Sequence, residues 1–197
     1  QTIIEEIDLL NLWKSRKITT FSYLYYLNIL SGRSYNCINQ YIIYPFIISD
    51  VDSDEISIEI DQHFRRFKLP IPALSTNGIR FALNKYSDIS EISPYLFPEV
   101  PSSCLAISWY LIRIEPFTTI HVSKDQQCGK FQKFDSPDRL FYSIKNLIEL
   151  TYDSGQSKEF IPEFFDFPFF LLNENDFDLG VRFDNEKVQD IELPNWS

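Results

Sequence analysis

A run of ten residues, QYIIYPFIIS from Gln40 to Ser49, is apolar enough to be buried yet carries a proline at its centre. Pro45 has no N–H to give to a ladder, so the run cannot be a central strand of a sheet. It must enter the interior as extended backbone outside regular pairing. Its buried N–H and C=O groups still need partners. A polar cluster stands just before it, at Ser34, Asn36, Asn39 and Gln40. Arg33, Asn36 and Gln40 are therefore expected to be mostly buried and bonded to extended backbone.

Around this run the periodicity is helical. Ile3, Ile7, Leu10 and Leu12 recur beside Glu5, Glu6 and Asp8 and predict a helix from Ile3 to Trp13. Thr19 or Thr20 caps a second, with Phe21, Leu24, Tyr25 and Asn28 along one face and a stop at Gly32. Ser75 or Thr76 caps a third that runs to Tyr86. Ser102 or Ser103 caps a fourth, Leu105 to Glu115, apolar nearly all round and so central, with Pro116 ending it. Ser136 and Pro137 open a fifth carrying Leu140, Phe141, Ile144, Leu147 and Ile148. One half-buried strand is expected where Ile56, Ile58 and Ile60 alternate with Glu55, Ser57 and Glu59. The fold class is mainly α, in a single domain of residues 1–197 that reads as part of a longer protein, since the chain opens on Gln1 and has no Met.

Function classes fall away in turn. A net charge of −10 argues against nucleic acid as the main partner, because phosphate binding needs a basic face, and equally disfavours a hold on anionic lipid by charge alone. Cys37, Cys104 and Cys128 are far apart with no Cys-x-x-Cys pair, which suggests a reducing compartment. With only His63 and His121 for imidazole ligands, zinc has no ordinary ligand set. Asp50, Asp52, Asp54 and Asp61 imitate a calcium loop, but Glu55 occupies the position that needs Gly, and the stretch reads as a solvated acidic turn. No metal and no cofactor are expected. Nucleophile elbows, Gly-rich phosphate loops and His-Glu-x-x-His are all missing, and no spacing sets a nucleophile beside His63 or His121. No apolar run reaches the roughly 18 residues of a membrane span. Arg113 and Glu115 are two residues apart in a helical stretch, face different ways, and must pair with other segments or with solvent. Finally, 18 Phe, 11 Tyr and 3 Trp exceed what one small core hides, so some rings are expected at the surface as interface anchors.

From Trp13 to Asp50 the string WKSRKITTFSYLYYLNILSGRSYNCINQYIIYPFIISD resembles the opening of BEACH domains. The matching residues include Trp13, Ile18, Phe21, Tyr23, Leu24, Asn28, Gly32 to Asn36, Gln40, Tyr41, Pro45, Phe46 and Asp50. The resemblance returns at YLIRIEPFT (Tyr110 to Thr118), KFDSPDRLFYSI (Lys133 to Ile144) and EFIPEFFDFPFFLLNENDFDLG (Glu159 to Gly180), and closes on Val188, Asp190, Leu193, Pro194 and Trp196. Two departures stand out. Arg16 occupies a position where the family usually has Gly. Of its His-Tyr-Gly…His-Tyr-Ser-Ser stretch only Ser102 and Ser103 remain.

The resemblance implies helices packed around extended, irregular core segments with little regular sheet. It also implies a non-catalytic scaffold, cytoplasmic and peripherally associated with intracellular membranes, acting in vesicle traffic, lysosome-related organelles, autophagy or receptor sorting. The implied partners are an adjacent pleckstrin-homology-like domain and trafficking proteins, with WD40 repeats following the domain. Arg33, Asn36, Gln40, Arg113, Glu115 and Arg139 lie in the matching blocks and are the candidate structural or partner-binding residues. The alternative is direct phosphoinositide binding through Lys14, Arg65, Arg66 and Lys68, which requires those cations to share one exposed face.

Overall fold

Tyr41, Ile42, Tyr44 and Phe46 of the proline-bearing run are buried, while Ile47 is exposed. The inward turn of residues 42, 44 and 46 is the two-residue period of extended backbone. The structure, a computed structural model, describes residues 8–89, 95–96, 101–122, 135–153 and 157–197. Among these, β-type pairing is limited to isolated bridges, two of which hold the run: Tyr44 with Phe160, and Ile48 with Phe64. The fold is mainly helical, with extended segments at its centre.

Helix α1 (Leu9–Lys14) opens on Asp8, whose carboxylate accepts from Asn11 N. The part of the expected first helix before Asp8 lies outside the described residues. The chain then turns through Arg16 at φ 58°, a left-handed conformation that costs a side-chain-bearing residue roughly 1 kcal/mol. This is the position where BEACH sequences usually carry Gly, which takes it freely. Helix α2 (Thr20–Leu30) packs beside α1. The Trp13 ring stacks on Tyr23 at 4.9 Å, and its Nε1 donates to Thr20 Oγ1. Thr19 caps α2. Its end is a Schellman turn, with Gly32 at φ 81° and Arg33 N donating to Asn28 O.

Helix α3 (Thr76–Asp88) is capped by Ser75, one of the two expected caps, and lies against α6 (Ile144–Asp153). Gly78 makes that approach possible, because a Cβ there would strike the backbone oxygens of Pro72 and Tyr152. Helix α4 (Cys104–Leu111), capped by Ser103, is central: Ala106, Ile107, Trp109, Tyr110 and Leu111 are all buried. Tyr110 meets Phe141 and Phe164 edge-on at 5.2 and 5.5 Å. Two short helices, α5 (Phe117–Val122) and α7 (Glu163–Asp166), complete the α-helices of the described residues, and the sequence reading anticipated neither.

Three sequence expectations need correction. Helix α4 ends at Leu111 rather than Glu115. The chain tightens there, with Arg113 N and Ile114 N donating to Tyr110 O and Leu111 O, and Thr118 Oγ1 taking Ile112 O.

The helix expected to start at Pro137 begins only at Ile144. Residues Pro137–Arg139 form a single 3-10 turn, after which Leu140 has extended backbone angles and Ser143 bridges to Glu192. The reason lies in packing. Leu140 and Phe141 are adjacent and both buried, but they join different apolar clusters, Leu140 with Leu179 and Val188, Phe141 with Tyr110 and Phe170. Successive side chains point oppositely only in extended backbone. That geometry also frees Phe141 O for Arg113 and Tyr142 O for Glu192 N.

The strand expected over residues 55–60 is instead a series of bends and turns. Ile60 N donates to Ser57 O, Ile58 is 88% exposed, and the neighbouring bridge is made by Phe64.

Candidate functional site

The backbone of the extended run finds its partners in side chains other than those expected. Asn36 and Gln40 are exposed, so their expected burial is corrected, and Arg33 is half-buried. Arg33 does reach the run, donating from Nη1 to Tyr41 O at 3.2 Å, and burial lowers its pKa. The central role belongs to Asn28, buried on α2. Its Nδ2 donates to Ile43 O at 2.9 Å, and its Oδ1 accepts from Ile43 N at 3.2 Å. One amide thus imitates a neighbouring strand. The signal in the sequence was a polar residue among the apolar positions of one helix face.

Glu159 supplies the second partner. Its Oε2 accepts from Phe46 N at 3.0 Å, and both its oxygens accept from Arg65 Nη1 at 2.8 Å. Both side chains of this ion pair are under one-tenth exposed. Burial pushes the Glu159 carboxyl up, against the opposing pull of Arg65 and of Phe46 N. The Arg65 guanidinium lies 4.6 Å from the centre of the Phe46 ring. Arg65 is therefore removed from the expected lipid-facing set, because its charge is spent inside the protein. Arg66 remains exposed and donates to Leu74 O, and Lys68 is exposed. Arg65 and Arg66 line one cavity of about 520 Å³, whereas Lys14, with Arg16 and Lys17, lines another of about 640 Å³. Neither cavity gathers the four cations.

Arg113 is also a structural residue. It is buried and donates to Phe141 O and Gln189 O, tying α4 to two extended segments, and desolvation lowers its pKa to about 10. Glu115 is exposed and accepts from Thr119 N and Oγ1 at the start of α5. Arg139 is exposed and pairs with Asp135 at 2.7 Å, while its backbone oxygen takes Trp109 Nε1.

The remaining polar candidates serve turns. His63 Nδ1 accepts from Ser57 N at 3.0 Å, and its Nε2 lies 3.5 Å from Asp50. His121 is buried in α5. Asp50 accepts from Asp52 N, Ser53 N and Ser53 Oγ, Asp52 pairs with Lys145, and Asp54 accepts from Asn195. Among the described residues no three His, Cys, Asp or Glu side chains gather as a metal site does. Cys37 and Cys104 are free thiols, and Cys128 lies outside the described residues.

Rings do stand at the surface on α2 and α7 and in the chain that follows each. Phe21, Tyr26, Tyr35, Phe165, Phe167 and Phe169 are each 40–60% exposed. Phe21 and Phe165 are anchored from below. Phe21 stacks on the buried Tyr44 at 4.6 Å, and Phe165 meets Phe21 and Tyr44 edge-on at 5.5 and 5.3 Å. Phe21, Ser22, Tyr25, Tyr26, Tyr35 and Asp166 surround a cavity of about 270 Å³. Tyr35 Oη donates to Asp166 Oδ2 at 3.3 Å. Rings held rigidly from behind and bare in front lose little freedom when covered, which is what interface anchors require.

Comparison with known proteins places these features in one family. The sequence matches the family model of the Beige/BEACH domain over residues 11–197. It is 38% identical to "BEACH domain-containing protein B" of Arabidopsis thaliana over 94% of this chain, which spans only 7% of that protein's length. The ordered motif blocks, the helical fold around extended segments and these two matches together show that the chain belongs to the BEACH domain family.

Proposed function

We propose that this BEACH domain is a non-catalytic interaction module of a larger protein in vesicle and membrane traffic, and that its exposed aromatic face docks a neighbouring pleckstrin-homology-like domain. The observation that carries the reading is the set of half-exposed rings Phe21, Tyr26, Phe165, Phe167 and Phe169, of which Phe21 and Phe165 are braced by the buried Tyr44. Such rings are the residue type that dominates binding energy at protein interfaces. The relative's far greater length supports a role as one module among several. The engagement of His63 in a turn with Ser57 and Asp50 supports a structural role for that imidazole over a catalytic one.

Among the described residues no helix is long and apolar enough to cross a membrane. On the family resemblance, we assign association with vesicles, lysosome-related organelles or autophagic membranes to partners, and propose that this domain is cytoplasmic and peripheral. Calorimetric titration of the 197-residue chain with the pleckstrin-homology-like segment of its parent protein tests the reading. Binding is expected, weakening as salt rises, and weakening about tenfold or more in the Phe165→Ser, Phe169→Ser double variant. No heat of binding, with that segment folded, overturns it.

A further inference from the structure

The cavity between α2 and α7 differs in chemistry from the rest of the aromatic face. Three tyrosines and a phenylalanine supply ring surface, Asp166 supplies one carboxylate, and none of the six lining residues is basic. Aromatic ring faces carry negative electrostatic potential, so a cage of rings completed by a carboxylate favours a cation. We propose that this cavity receives the arginine or lysine side chain of a protein partner, the rings holding its stem and head and Asp166 pairing with its charge. The proposal rests on the interaction-module reading and names the chemistry that the partner presents.

Asp166 is held ready for that role. One oxygen, Oδ2, accepts from Tyr35 Oη at 3.3 Å. Among the described residues Oδ1 accepts no hydrogen bond, and no cation pairs with the group. Tyr44 contributes from behind Phe21. It is 2% exposed, its hydroxyl has no hydrogen-bond partner, and Asp166 and Tyr25 both act on it electrostatically. Burial foremost, then Asp166 and Tyr25, push Tyr44 up to about 12, so it stays neutral and adds no second negative charge.

Other occupants fit less well. A purely apolar side chain would strip water from Asp166 and return no partner. An anion meets a carboxylate and no base. A divalent metal needs more oxygen ligands than a single carboxylate and phenols provide. The −10 net charge of the chain favours encounter with a basic partner.

Titration with single amino acids isolates the cavity from any particular partner. Nα-acetyl-arginine methylamide, Nα-acetyl-lysine methylamide and, as the apolar isostere, Nα-acetyl-norleucine methylamide are added to the chain, and the Tyr and Phe ring resonances are followed by NMR. Saturable shifts of Tyr25, Tyr26 and Tyr35 are expected with a cationic probe and not with norleucine. Asp166→Asn should weaken the response by roughly fivefold or more, and the exposed Tyr26→Ala, which leaves the core untouched, should weaken it in parallel. Spectral dispersion identical to that of the parent protein certifies each variant as folded. An absence of saturable shifts with both cationic probes, an equal response to norleucine, or an unchanged response in folded Asp166→Asn overturns the proposal. Cation binding without any binding of the pleckstrin-homology-like segment rejects that partner and leaves the cavity's preference standing. The reverse pair of results rejects the cavity alone.

Discussion

Residues 41–48 and 55–60 are both short and isoleucine-rich, yet they lie on opposite sides of the boundary with water. In the first, Arg33 takes Tyr41 O, Asn28 takes both backbone groups of Ile43, Phe160 pairs with Tyr44, and Glu159 accepts from Phe46 N. In the second the backbone bonds back on itself and to His63, and Ile58 stands in solvent. Apolar content differs, since residues 41–48 carry no charged side chain while Glu55, Ser57 and Glu59 alternate with the isoleucines of the second. The first run can stay inside only because polar partners are also supplied, since extended backbone enters a dry interior only where its N–H and C=O groups are met.

Removing a partner from the first run should break it, and the largest effect is expected at the buried ion pair. Arg65→Ala leaves Glu159 charged and unpaired, with an expected loss of about 3–5 kcal/mol in a urea denaturation series. Replacing the pair with Arg65→Met and Glu159→Leu should recover only part of this, since Phe46 N then loses its acceptor. Asn28→Ala strands the N–H and C=O of Ile43 together and is expected to cost about 2–3 kcal/mol by the same measurement.

Asp50 holds the turn between the two runs, and its effect shows in pH. Bonds from Ser53 foremost, with Asp52 N and His63 assisting, hold its carboxyl below the ordinary 3.8. A depressed acid contributes stability that is complete above its unfolded pKa and is lost as pH falls through the folded one. Asp50→Asn should therefore flatten the fall in denaturation midpoint between about pH 5 and about pH 2.5. An equal fall in both proteins would remove Asp50 from the account.

The smallest effects are expected where water already satisfies the chain. Ile58→Ser and Asn36→Ala should each stay within about 0.5 kcal/mol of the parent. A loss of about 2 kcal/mol in either would mean that its surroundings are drier than the structure places them.

The caps, at Thr19, Ser75 and Ser103, were legible in the sequence to within one residue because a cap is a bond spanning three residues. The exclusion of the Pro45 run from a sheet was equally legible, since it follows from one missing N–H. Family membership was readable from motif blocks in order, and the excess of rings from composition. Which groups would serve the Pro45 run was not readable. Phe46 and Glu159 lie 113 residues apart, and Asn28 meets Ile43 only after α2 has turned back at Gly32. The extended chain at Leu140 and Phe141 had the same origin, because two apolar clusters on opposite sides claim adjacent side chains and override a helical pattern. Which rings stay outside, and that Asp166 stands among them, was likewise decided by the packing of α7 against α2. Short-range hydrogen bonds and single-residue prohibitions are written locally. The pairing of buried backbone and the choice of exposed face depend on segments that only the folded chain brings together.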